Sequence, residues 1–129
     1  CVASDGNSLR DTGPLSSGKP HPRNYGTNSR YLENFVKEKR IVELSDAIYR
    51  MTTLPAKRIG LKRRGQILKD YFADINIFKL EDIKEHATYK NPHKYSEGMK
   101  YVFVNGKLSV EDGQKISGRY GRVIRSLAE

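Results

Sequence analysis

The 129-residue sequence predicts an α/β chain built from one short strand, three helices and a closing antiparallel β unit. Three observations carry that expectation. An apolar run at residues 1–4 stops at Asp5-Gly6, apolar residues recur at helical spacing between Ser29 and Ile59, and beyond Gly60 the period falls from 3.6 toward 2. Two units are expected on this basis, residues 1–62 and residues 63–129.

Cys1 to Ser4 reads as a strand tip feeding a loop over residues 5–27 that is rich in Ser, Gly, Pro and Asn. A loop of that length is expected to be functional or disordered. From Ser29, placed to cap a helix, Tyr31, Leu32, Phe35 and Val36 make an apolar stripe. Ser45 is expected to cap a second helix to Met51, with Ala47, Ile48 and Met51 facing inward. A third helix runs from Thr53 to Ile59, with Pro55 in its first turn and Gly60 just past its end. Gln66–Leu68, Ala73–Phe78, Met99–Val104 and Lys107–Val110 then read as strands, separated by a loop-like Leu80–Gly98. The last two are joined by Asn105-Gly106, the strongest short hairpin signal, because both turn residues must take positive φ. A parallel-sheet strand followed by helices needs neighbours on both sides, so partners for residues 1–4 are expected to precede residue 1.

Charge sets the competing function class. Twenty-four Lys and Arg against fifteen Asp and Glu give +9, which brings nucleic acid and anionic surfaces into consideration as partners of a basic binding module. The pattern argues for neither partner. Basic residues mostly alternate with acids, as in Lys37-Glu38-Lys39-Arg40, and only Lys57-Arg58 with Lys62-Arg63-Arg64 is dense; the eight Tyr are scattered, not interleaved with the cations. No stretch approaches the roughly twenty apolar residues of a membrane span. The single Cys1 can form no internal disulfide and there is no C-x-x-C, which points to a reducing, cytoplasmic compartment.

The chemistry-bearing residues cluster early. Asp5 puts a carboxylate at the end of a strand, where an α/β barrel builds its active site, although Asp-Gly is also a common turn. His21 and Arg23, two apart in extended chain, can point the same way and offer a donor and a bidentate fork suited to a carboxylate. His86 and His93 have no Cys or second His at ligand spacing and read as surface histidines.

Taken together, Ser4-Asp5-Gly6, His21-Pro22-Arg23-x-x-Gly26-Thr27-x-x-Arg30 and Met51-Thr52-x-x-Pro55-Ala56-x-x-x-Gly60-Leu61 resemble the N-acyl-D-amino-acid deacylases of the metal-dependent amidohydrolase superfamily. Ala73-Asp74-Ile75, Ala87-Thr88-Tyr89, Pro92-His93 and Val102-Phe103-Val104-Asn105-Gly106 continue the match in order. The resemblance implies the carboxy-terminal piece of a (β/α)₈ barrel, its last strand and helices, followed by strands of a small β-sandwich. It implies a zinc enzyme cleaving N-acyl-D-amino acids to a carboxylate and a D-amino acid, with the other metal ligands and the rest of the barrel upstream, and a segment inactive alone. Asp5 is implied to take a proton from the metal-bound water and pass it to the leaving nitrogen, with a secondary candidacy as a metal ligand. Ser4, Gly6, His21 and Arg23 are implied to line the substrate; Arg23 either meets the substrate carboxylate or makes an internal salt bridge that pins the loop. The sequence departs from the family at Asn28-Ser29, where Phe-Pro is common, at Arg63 for Asp, at Asp70 for Gly, and at Ile116-Ser117-Gly118 for Thr-Gly. The change at 28 and 29 bears on substrate preference, and Asp70 is compatible with a left-handed turn.

Overall fold

The computed structural model describes residues 1–124. Helix α1 spans Arg23–Tyr31 and runs on into a wider π-type stretch at Leu32–Glu38; α2 spans Leu44–Met51 and α3 spans Thr53–Arg58. An antiparallel sheet follows, in the order β1 (Ile75–Phe78), β2 (Met99–Val104), β3 (Lys107–Glu111) and β4 (Gln114–Lys115). The chain is α/β with an antiparallel sheet.

Residues 1–4, whose strand partners are expected outside these residues, join no ladder among the described residues, and the Val2 amide donates to the Arg50 carbonyl at 3.0 Å. Several other local expectations are corrected. Gln66–Leu68 is not a strand, and Ile67 is 80% exposed. Helix α1 begins before Ser29, which lies buried inside it, and Ser45 lies inside α2, whose cap position is Glu43. The true start of α1 follows Pro22, whose ring presets φ for a first turn. Asn24, Gly26 and Asn28 carry no apolar periodicity, so the pattern became visible only a turn later. Asn28-Ser29 therefore belongs to a helix and not to a loop.

The hairpin forms as expected. Val104 pairs with Lys107 across Asn105 (φ 49) and Gly106 (φ 78), the signs a two-residue type I′ turn requires. Asn105 is also tied down from outside: its amide donates to Asp74 Oδ1 at 2.8 Å, and its side chain reaches the Tyr120 carbonyl at 2.6 Å. A second turn of the same kind, Asp112 (φ 45) and Gly113 (φ 75), leads into β4. Asp70, expected to be compatible with a left-handed turn, takes φ 67. Part of the basic patch is engaged structurally. Arg63, Arg64 and Arg122 lie over the Phe72 ring at 5.0, 4.2 and 4.3 Å, and Arg64 pairs with Asp74.

The core joins the helical and sheet halves. Leu32, Val36, Ala47 and Ile83 are buried together, with Tyr31, Val42, Met51, Phe78, Leu80 and Met99 packed around them. Ile83 comes from the stretch that reads as a loop, and it is fully enclosed. That stretch is closed at its base by Lys84 and Glu97, which exchange backbone hydrogen bonds of 3.3 and 2.9 Å.

From that base the excursion 85–96 reaches back to α1 through a nearly enclosed acid. Glu85 Oε2 accepts from Arg30 Nε at 3.0 Å and Nη2 at 2.6 Å, Arg30 also donates to the Ala87 carbonyl at 3.2 Å, and Glu33 Oε2 receives the Glu85 amide at 2.9 Å. Gly26 makes room for this pair: a Cβ there would stand 2.5 Å from Glu85 Cγ and 2.7 Å from Cδ. The Gly26-Thr27-x-x-Arg30 motif thus has a packing reason. Its glycine admits the carboxylate that its arginine neutralises.

Candidate active site

Asp5 sits in left-handed backbone, φ 47, a conformation Asp tolerates better than most residues, and its side chain is 86% exposed. The turn is held from both sides. Ser4 Oγ accepts the Gly6 amide at 3.2 Å, and Asn24 Oδ1 accepts the Asn7 amide at 2.6 Å. Gly6 fits closely against α1, since a Cβ there would meet Asn24 Oδ1 at 3.0 Å and Asn24 Cα at 3.2 Å. The carboxylate is therefore presented to solvent on a braced turn.

Arg23, in the first turn of α1, places Nη2 2.9 Å from Asp5 Oδ2. Of the two roles open to Arg23, the geometry makes the internal pair, and the partner is Asp5 itself. The pair is open to water, which limits its worth to about 0–1 kcal/mol. It orients more than it stabilises. A guanidinium carries five donors, more than one carboxylate oxygen uses, so pairing with Asp5 does not exhaust its capacity for an anionic ligand.

His21 is not in extended chain beside Arg23 but wraps the start of α1. Its Nδ1 accepts the Arg23 amide at 3.0 Å, its carbonyl takes Asn24 Nδ2 at 2.8 Å, and its Nε2 lies 2.9 Å from the Tyr89 hydroxyl. Both ring nitrogens are engaged within the chain, which makes His21 a cap for orphan helix amides. Tyr25, one turn on, donates to the Arg10 carbonyl at 2.7 Å and packs edge-on to His93 and Tyr95, each at 5.6 Å. Sequence reasoning missed Asn24, Tyr25 and Tyr89 as parts of this site. Tyr89 stands in a family-like motif, but nothing in its spacing links it to residue 21.

The Tyr25 phenol is pushed above its ordinary 10.0 by desolvation first, then by the Tyr95 and Asp11 charges. The raised value means that the folded chain holds this proton where the unfolded chain has begun to lose it. Stability should therefore be unaffected by this group at neutral pH and fall as pH rises past about 10. Urea unfolding compared at pH 8 and pH 11 should show a steeper alkaline loss in the parent sequence than in Tyr25→Phe.

Among the described residues no group of three or more His, Cys, Asp or Glu is placed to hold a metal ion. Cys1 is exposed. His86 lies at the surface, 3.2 Å from Glu97. His93 is not the surface residue expected, because its ring packs on Tyr25 and its Nε2 is enclosed without a partner. What the site offers chemically is a braced, exposed carboxylate beside a fixed cation.

Residues 8–110 match the model of an amidohydrolase family. The chain is 38% identical over 106 residues to an N-acyl-D-aspartate deacylase of Alcaligenes xylosoxydans xylosoxydans, covering 81% of this chain and 21% of that protein. It is 36% identical over 111 residues to a D-aminoacylase of the same organism, covering 85% and 23%. Among solved structures, an N-acyl-D-glutamate deacylase from Bordetella bronchiseptica, complexed with zinc and a phosphonate inhibitor, superposes with a TM-score of 0.76 at 36% identity over 83% of this chain and 22% of that one. The chain spans about a fifth of the length of the relatives it matches.

Proposed function

The chain belongs to the amidohydrolase family, and from that premise we propose that it is the closing segment of a zinc-dependent enzyme that hydrolyses the amide bond of N-acyl-D-amino acids. The observation that carries this reading is the match to deacylases over four-fifths of the chain; Asp5, an exposed carboxylate on a braced turn, stands just before residue 8, where the family match begins. Residues 1–62 on this reading hold the end of the last strand and the helices of a (β/α)₈ barrel. The segment from residue 63 contributes to a small β-sandwich.

The described residues do not by themselves fit a zinc centre, and the one carboxylate at the site is turned toward Arg23. Zinc ligands would come from other parts of a longer protein, and Asp5 keeps only its secondary candidacy. Its proposed work is with protons. A carboxylate takes one from the attacking water as the tetrahedral adduct forms and returns it to the leaving nitrogen, so that the C–N bond breaks to a carboxylate and a D-amino acid amine. Ser4 and Gly6 shape the turn that aims Asp5, Arg23 orients it and adds positive charge near an anionic substrate, and His21 sets the helix start that carries Arg23.

The test is an assay of the full-length protein on N-acetyl-D-amino acids and their L enantiomers. Hydrolysis of D substrates only is expected, and none from the isolated 129-residue segment with or without zinc. A full-length protein that leaves every N-acyl-D-amino acid intact would falsify the reading.

A further inference from the structure

We propose that Tyr89 is a positioning residue for the Asp5 carboxylate, acting through His21 and Arg23; its kinetic consequence rests on the deacylase reading above. The contacts run unbroken. The Tyr89 hydroxyl is 2.9 Å from His21 Nε2, His21 Nδ1 accepts the Arg23 amide at 3.0 Å, and Arg23 Nη2 is 2.9 Å from Asp5 Oδ2.

The direction of these bonds follows from the donor inventory. Nδ1 accepts a backbone N–H, so it carries a lone pair, and the proton of the neutral ring is on Nε2, donated to the Tyr89 oxygen. Without that hydroxyl the ring loses the contact that fixes its rotation, and Nδ1 is no longer held opposite the Arg23 amide. A ring turned away leaves an amide at the start of α1 unsatisfied. The first turn of α1 is the element that holds Arg23 against Asp5. The ring orientation set at His21 therefore reaches the carboxylate.

Tyr89 is suited to this work because its loop is anchored while its ring is not buried. Arg30 takes the Ala87 carbonyl and the Glu85 carboxylate, Thr88 Oγ1 accepts the Asn91 amide at 3.0 Å, and Pro92 is buried. Tyr89 itself is 71% exposed and meets His21 edge-on, with ring centroids 5.0 Å apart at 78°. A side chain so exposed contributes little by burial. Its specific contact is the hydroxyl.

The experiment uses the full-length protein with ¹⁵N-labelled histidine, the His21 ring assigned by its disappearance in His21→Asn. The parent is expected to show an Nδ1 resonance shifted by the amide it accepts, and Tyr89→Phe to move that resonance toward the position of an unbonded ring nitrogen. On an N-acetyl-D-amino acid, Tyr89→Phe is expected to lower kcat by about two- to tenfold, the worth of one hydrogen bond, with KM moved less. Asn at 21 keeps an acceptor where Nδ1 was and has nothing to offer Tyr89, so adding Tyr89→Phe to His21→Asn should cost nothing more. Phe keeps the ring contact, so a purely packing role predicts no change in the Nδ1 signal or turnover. The proposal is overturned by Nδ1 protonation in the parent, by an Nδ1 signal indifferent to Tyr89→Phe, or by losses that add in the double variant. A protein that turns over no N-acyl-D-amino acid defeats the deacylase reading and the kinetic role with it, while the ring-nitrogen spectra decide separately whether Tyr89 holds His21.

Discussion

Asp5→Asn in the full-length protein is expected to lower kcat by roughly a hundredfold to ten-thousandfold, the usual worth of a positioned acid-base group, with substrate affinity less affected. Asn keeps the size, can accept a hydrogen bond from Arg23, and tolerates the same left-handed backbone. What it loses is the capacity to take a proton. Loss of the Arg23 contact alone, an ion pair open to water among the described residues, is expected to cost less than tenfold, about 0–1 kcal/mol. Steady-state kinetics on an N-acetyl-D-amino acid decide the matter. A variant keeping more than about half of parental turnover removes Asp5 from the proton transfers, and an Arg23→Met variant as slow as Asp5→Asn would make the pair, not the base, responsible.

Gly98→Ala should be the most damaging small substitution in the fold, at about 2–4 kcal/mol. Gly98 has φ 98, where L side chains are strained, and a Cβ there would meet the Asp82 carbonyl oxygen, lie 2.6 Å from the Asp82 carbonyl carbon and 2.7 Å from the Ile83 nitrogen. Those atoms are backbone and cannot rotate aside. The neighbouring side chain is Ile83, which is completely enclosed in the core, so the clash has no direction in which to relax without opening that core. Gly113→Ala is the control, because Gly113 also has positive φ, 75, with nothing within 4 Å of its Cβ position. It should cost about 1 kcal/mol, the backbone penalty alone. Equal urea midpoints for the two variants would show that the contact at Gly98 carries no weight.

Because Glu85 is only 6% exposed and Arg30 spans from α1 to reach it, the 85–96 excursion is fastened to the helix whose first turn carries Arg23. The site and the β-side loop are thus mechanically one piece. This gives the separated family motifs a shared reason: Gly26 and Arg30 receive Glu85, His21 meets Tyr89, and Tyr25 meets His93 and Tyr95.

The elements legible from sequence were those whose signal is local. Asn105-Gly106 between alternating apolar residues specified its hairpin because a two-residue turn needs two positive φ values and few residue pairs accept them. The same chemistry at Asp112-Gly113 was readable in principle, but β4 is two residues long and leaves no alternating run to frame it. Helices α2 and α3 were legible from their apolar spacing and from Pro55 and Gly60. The family was legible because many ordered motifs, none specific alone, agree along the chain.

Only the tertiary structure decided what is set by pairing at a distance. Residues 1–4 look apolar enough for a strand, but a strand exists only where another supplies its ladder, and no partner among the described residues does so; there the Val2 amide bonds the Arg50 carbonyl. His21 and Arg23 are two apart in sequence, and the first turn of α1 sends one to Tyr89 and the other to Asp5. Ile83 is the enclosed centre of the core although its neighbours read as loop, because burial depends on what packs from α1 and α2 and not on local period. Residue types set which groups could meet; the packing of the 85–96 excursion on α1 settled which of them do.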